Sequence, residues 1–215
     1  MKIRIGVICG MEAEAAALGQ WRDDPRVFIG ISGAQPDRAE ALALEAADQG
    51  AKVLVSWGLA GGLAADLKPG TLIQPDCVSH PDGSQISFRT QPYSTGLIAG
   101  SDAVVASPAE KLVLRQGTGA AAVDMETHRL AQVAMERELD LKIIRAISDP
   151  ADRALPTLAA TALGTDGRPM IGRVLLGLIR RSWQLSALLA AKRDSDAALA
   201  TLRGAKELIS EYVNG

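Results

Sequence analysis

Three apolar runs and one helical repeat near the start of the chain leave few choices of fold. Residues 3–9 (IRIGVIC) read as a strand with a turn at Gly10, and residues 26–33 (RVFIGISG) as a second strand ending at Gly33. Pro36 opens a helix over 36–49, in which Ala39, Leu42, Ala43 and Ala46 recur at helical spacing. Residues 51–62 (AKVLVSWGLAGG) then read as a buried strand running into a glycine-rich turn. Strand–helix–strand order of this kind predicts parallel strands joined by helical crossovers.

The rest of the chain extends that plan. Residues 71–80 read as a strand interrupted by Pro75, and 81–96, rich in Gly, Ser, Pro and Gln, as a loop. A strand and exposed turn follow over 96–107, a short helix from Pro108 to about Gln116, a helix over 123–138, and a strand over 141–149 that ends in an acid. Residues 150–215 read as mostly helical, with an apolar stripe over 171–191 that includes Ile171, Val174, Leu178 and Leu185. The expectation is a single α/β domain over 1–215 with a helical C-terminal region, its central mixed, largely parallel sheet flanked by helices. A chain of 215 residues that is 47% hydrophobic can bury one sizeable core and is not disordered.

Charge and cysteine usage exclude several classes of function. A net charge of −2 with no block of like charges gives no general attraction for nucleic acid. Cys9 and Cys77 have no metal-ligand spacing and make no disulfide framework, which suits a reducing cytoplasm. The N-terminus lacks an apolar signal core, and no stretch has 18 uninterrupted apolar residues.

In open α/β sheets, ligands collect at the carboxyl ends of the strands. Four segments fall there: GME (10–12), GLAGG (58–62), DMET (124–127) and SD (148–149). Each has an unremarkable reading. Glu12 and Glu14 suit the solvated start of a helix, where negative charge is favoured. Asp124 and Asp149 suit helix N-caps, and the glycines suit a tight turn. The spacing GxxGG matches neither the dinucleotide nor the phosphate-loop fingerprint. His80 and His128 read as loop and packing residues, and no cluster suggests a metal. No cofactor is expected.

Order and spacing carry more than the separate signals. GMEAEA, GLAGGLAADLKPG, VDMET and RAISDPAD occur in that order over residues 3–153. Together they resemble the purine nucleoside phosphorylase/nucleosidase superfamily, whose 5′-methylthioadenosine/S-adenosylhomocysteine nucleosidase branch carries GAMEEE, GSAGGLAPxLKxGD, EMEA and RAISDxAD. The run GSDAVVASPAEK, the shortened middle and the tail with GRP and LIRRSWQL are similar to the hopanoid-associated phosphorylase branch, which is tied to releasing adenine from adenosylhopane.

The resemblance implies roles for particular residues. Asp149 would be the general acid at purine N7, with Ser148 beside it. Glu126 would bind the ribose hydroxyls, Met125 would pack against the sugar, and Gly61 would lie against the substrate. Glu12 would activate water, leaving Glu14 on the solvated helix face. Val104 and Val105 would replace a stacking aromatic on the adenine face, and Asp102 would contact the adenine edge. An acid at N7 wants burial, whereas a base wants access to water.

Phosphorylases of the superfamily carry an arginine in the first motif and RxGS in the middle one. Here no arginine precedes Arg22 after GMEAE, and the middle reads SWGL, with Ser56 and Leu59 at the two positions. Phosphate would have to find other donors, so hydrolysis is the favoured reaction and phosphorolysis the alternative. A non-catalytic nucleoside-binding or membrane-peripheral protein is the alternative of another class, and three retained acids argue against it. The resemblance further implies a homo-oligomer. The tail stripe with Arg180 and Arg181 suits either the core, a subunit interface or a membrane surface near a lipid-linked substrate.

Overall fold

The computed structural model describes residues 2–88, 96–156 and 185–214. The strands are β1 (Ile5–Cys9), β2 (Val27–Ile31), β3 (Val53–Gly62), β4 (Leu72–Ile73), β5 (Cys77–Ser79), β6 (Gln85–Ser87), β7 (Leu97–Gly100), β8 (Ala122–Asp124) and β9 (Asp140–Asp149). The helices are α1 (Glu12–Ala17), α2 (Pro36–Asp48), α3 (Pro108–Thr118), α4 (Thr127–Glu136), α5 (Leu185–Ala205) and α6 (Leu208–Asn214). A 3-10 turn, Gly19–Asp23, follows α1.

The strands form one sheet in the order β2-β1-β3-β8-β7-β5-β6, with β9 beside β3 and β4 beside β9. β1 pairs in parallel with β2 and β3, β3 with β9, and β7 with β5 and β8. Antiparallel pairs are confined to β3/β8, β4/β9 and β5/β6. The sheet is therefore mixed and largely parallel, as the strand–helix–strand order predicts.

Alternation along β1 shows how the sheet is covered. Ile8 joins a core with α2 and α4 residues such as Ala39, Ala43 and Leu130. Ile5, Val7 and Cys9 join an opposite core with Ala15, Leu18, Ala198, Leu202 and Ile209 from α1, α5 and α6. Two apolar faces, each packed under helices, give three layers. The α2 layer presses so close that a Cβ on Gly6 would lie 2.5 Å from Ala46 Cβ.

Several boundaries differ from expectation. The glycines of GLAGG continue β3 instead of turning, with a register shift between Ala60 and Gly61. The helix expected over 123–138 begins only at Thr127, because Ala122–Asp124 pairs with β7 and β3. The expected loop contains β6, paired with β5. The described residues 150–156 are turn and irregular, so the helical C-terminal region is seen from Leu185 onward. Of the stripe over 171–191, residues 171–184 lie outside the described residues. No described helix is long and apolar enough to cross a membrane.

Candidate active site

Three strand ends and two helix starts place their polar side chains around β3. β1 ends at Cys9 and feeds α1, β8 ends at Asp124 ahead of Glu126 and α4, and β9 ends at Asp149. Glu14, Asp124, Glu126, Arg145 and Asp149 are all buried there. Buried charge is costly unless paired or hydrogen-bonded: Asp124, Glu126 and Asp149 have ion-pair partners, and Glu14 is held by backbone donors.

Arg145 is the pivot. It sits mid-strand in β9 with its side chain fully buried, and its Nε lies 2.7 Å from Asp124 Oδ2. Its Nη2 donates to Ser56 Oγ at 2.7 Å, Thr127 Oγ1 at 3.2 Å and Glu126 Oε2 at 3.2 Å, and its Nη1 donates to the Leu59 carbonyl at 3.3 Å. Thr127 N, at the start of α4, donates to Asp124 Oδ1 at 3.0 Å, so Asp124 ties the start of that helix to the arginine. The planar guanidinium suits this multiple role better than an ammonium.

The structure buries Glu14, expected on the solvated helix face, and leaves Glu12 near the surface. Glu12 points to the surface, where it pairs with Arg22, and both side chains are substantially exposed. Glu14 is the buried one. Its Oε1 accepts from Leu59 N at 2.8 Å and its Oε2 from Met11 N at 2.7 Å, while Trp57 Nε1 donates to its backbone carbonyl at 2.9 Å. The physical reason is helical period: residues 14, 18 and 21 share the inward face of α1 and its 3-10 extension. Burial pushes the Glu14 carboxyl up, opposed by Arg145 and by donors from Leu59, Met11 and Gly10.

Glycines make room for this cluster. A Cβ on Gly58 would lie 2.5 Å from Arg145 Nη1 and 2.8 Å from Glu14 Oε1. One on Gly10 would lie 2.9 Å from Glu126 Oε1 and 3.3 Å from Glu14 Oε2, so the two glutamates meet over Gly10. One on Gly61 would lie 3.2 Å from Asp149 Oδ2. The glycines of β3 are therefore there for close approach, not for a turn.

Burial, opposed chiefly by Arg145 and reinforced by Asp124 and Glu14, raises the Glu126 carboxyl to about 7. The folded chain thus holds this proton to higher pH than the unfolded chain does. The resulting stabilisation is complete at low pH and is lost as pH rises through about 7. Denaturant unfolding is expected to show stability falling between pH 5 and 8, by about 3 kcal/mol from this group. Glu14 acts in the same direction. Glu126→Gln should flatten the slope, and an unchanged slope would remove Glu126 as its source.

Ser148 and Asp149 are adjacent as expected, with Ser148 Oγ donating to Asp149 Oδ1 at 2.8 Å and to the Ala60 carbonyl at 3.3 Å. Met125 is half-buried between Asp124 and Glu126. Val105 packs against Leu63, Ala99 and Val123, whereas Val104 is exposed. Asp102 does not join the acids: its Oδ1 is taken by His128 Nε2 at 3.0 Å and Arg129 Nη2 at 3.1 Å. Both contacts use one oxygen, and the Asp102 side chain remains half exposed. Among the described residues no His, Cys, Asp and Glu group is arranged to hold a metal.

Sequence reasoning passed over Arg145, Glu14 and Lys111. An arginine in the middle of the apolar strand LKIIRAISD is itself a signal, since an unpaired charge there would be prohibitive. Lys111 is buried beside Asp149 and pairs with its Oδ2.

A sequence profile described as the phosphorylase superfamily matches residues 83–179. Among solved structures, 5′-methylthioadenosine/S-adenosylhomocysteine nucleosidase from Neisseria meningitidis, in complex with methylthio-immucillin-A, has a TM-score of 0.72 at 19% identity, covering 97% of this chain and 99% of that one. The Helicobacter pylori nucleosidase of the same name has a TM-score of 0.71 at 16% identity, covering 99% and 98%. Futalosine hydrolase of Helicobacter pylori has a TM-score of 0.64 at 18% identity, covering 84% and 99%. These likenesses establish the three-layer α/β fold. No curated protein sequence matches the chain.

Proposed function

We propose that this chain cleaves the N-glycosidic bond of an adenosyl compound with water and releases adenine. The observation that carries this reading is the buried Glu14–Arg145–Glu126 cluster, which shares the floor formed by the β3 glycines with Asp149. An oxocarbenium-like ribosyl group between them would find a base on one side and a proton donor on the other. Water loses its proton to Glu14 as its oxygen bonds to C1′. The C1′–N9 electron pair leaves with the purine, which takes a proton at N7 from Asp149.

Glu126 Oε1, the oxygen that Arg145 leaves free and that Ser32 Oγ meets only at 3.5 Å, accepts from the ribose 2′- and 3′-hydroxyls. Met125 packs on the sugar, Val104 and Val105 on the base, and Gly61 and Ser148 keep the space beside Asp149. Glu14 takes the role first read for Glu12. Water is favoured over phosphate because Arg145, the buried cation at this site nearest Glu14, is already held by Asp124 and Glu126.

Adenosylhopane is the proposed substrate, on the resemblance of GSDAVVASPAEK and the tail to the hopanoid-associated branch. Incubation with adenosylhopane, adenosine and methylthioadenosine, with phosphate varied, tests each level while free adenine is measured. Adenine release independent of phosphate, fastest with adenosylhopane, is expected. An absolute phosphate requirement would sink the water assignment, and preference for a small nucleoside would remove the lipid substrate.

A further inference from the structure

Helix α3 turns a lysine inward beside Leu114, which packs on Leu63, Ala99 and Val123. Of its residues only Lys111 is buried, at 1% exposure, while its neighbours Leu112 and Val113 are 56% and 69% exposed. Its start is fixed: Ser107 Oγ accepts from Glu110 N at 3.2 Å, and Glu110 Oε2 accepts from Ser107 N at 2.8 Å, a reciprocal cap one residue before Lys111.

The buried ammonium has three N–H donors and meets three acceptors. They are Asp149 Oδ2, the Pro150 carbonyl at 2.7 Å and the Arg153 carbonyl at 3.3 Å. All three lie at the carboxyl end of β9 or in the turn that follows it. Asp149 Oδ1 meanwhile accepts from Ser148 Oγ. The carboxyl is thus held by a donor on each oxygen, directly behind the space kept open by Gly61. Burying a lysine in this slot is costly, and among the described residues only the Asp149 contact offsets that cost with an opposite charge.

We propose that Lys111 is the positioning residue of the leaving-group side, holding Asp149 toward the departing base and storing the proton that Asp149 delivers. The inference rests on the hydrolytic reading above. In the resting pair the ammonium and the carboxylate hold one transferable proton between them. As the C1′–N9 bond breaks, Asp149 passes a proton to N7 and draws one from Lys111, leaving a neutral amine beside a carboxylate. The proton that Glu14 took from water balances the loss and returns through solvent when products leave. Lys111 touches no substrate and acts through Asp149 alone.

The test uses Lys111→Met and Lys111→Gln in the full chain, the second read if the first fails to fold. Release of adenine should show kcat reduced at least thirtyfold with KM within threefold of the parent. Added to Asp149→Asn, either substitution should cost less than a further twofold, because both remove the same unit. Near-normal kcat in a folded Lys111 variant, or losses that multiply with Asp149→Asn, would overturn the inference. If the parent cleaves none of the nucleosides, the hydrolytic reading fails, and the pair is still testable without substrate. The 1H–15N signal of the Lys111 ammonium should be protected from exchange in the parent and shifted or lost in Asp149→Asn; an unchanged signal would overturn the pairing.

Discussion

Glu14→Gln is expected to lower adenine release about a thousandfold, within the range that loss of a general base produces, while Glu12→Gln stays within twofold. The contrast follows from where α1 points. Glu14 faces Arg145, Glu126 and the β3 backbone, whereas Glu12 makes an ion pair with Arg22 at the surface. Exposed pairs of that kind contribute at most about 1 kcal/mol to stability and nothing to a buried reaction. Glutamine keeps the volume of Glu14 and still offers an oxygen to Leu59 N, but its amide nitrogen cannot accept from Met11 N, so the variant should stay folded with a loss of about 1–3 kcal/mol. A loss in kcat without loss of fold would isolate proton transfer. The reverse result, with Glu12→Gln inactive and Glu14→Gln active, would restore the first assignment and require α1 to rotate by two residue steps, roughly 200°.

Legibility in the sequence followed the strength of the periodic signal. Helix α2 was expected over 36–49 and spans Pro36–Asp48, and the strands expected over 51–62 and 141–149 span Val53–Gly62 and Asp140–Asp149. These segments are long, and packing agrees with pattern in each. β8 was hidden because three residues carry no period, and AAAVD joins smoothly to the helical THRLAQVAME. The β3 glycines read as a turn because the groups that need their missing side chains, Glu14, Arg145 and Asp149, lie far away in sequence. Motif order pointed to strand ends that the fold brings together around β3, but it did not show which of two glutamates two residues apart is buried. That choice depends on helix phase, which Leu18 and Trp21 supply and the motif alone does not. Lys111 was hidden for a related reason: it shares the inward face of its helix with Leu114, while Leu112 and Val113 are exposed, so apolar pattern does not mark it.

Arg145→Met should destabilise the chain more than any other single change at the site. The guanidinium is the counter-ion of Asp124 and Glu126 and a donor to Ser56, Thr127 and the Leu59 carbonyl. Removing it leaves buried carboxylates unpaired, which costs about 3–5 kcal/mol, or about 10 °C in melting temperature for a chain of this size. The loss should be larger at pH 8 than at pH 5.5, because carboxyls deprived of the cation take up protons at the lower pH and shed the charge that is costly to bury. Asp124→Asn and Glu126→Gln added to Arg145→Met should recover part of the stability by removing the same charges. They should recover no adenine release, since Glu14 would still lack its cation and the ribose its carboxylate. A parent-like melting temperature in Arg145→Met at pH 8 would show that the cluster is not held by this arginine. Recovery of melting temperature without recovery of turnover would separate the two tasks of the cluster: its charges must cancel for the chain to fold, and they must remain charges for it to act.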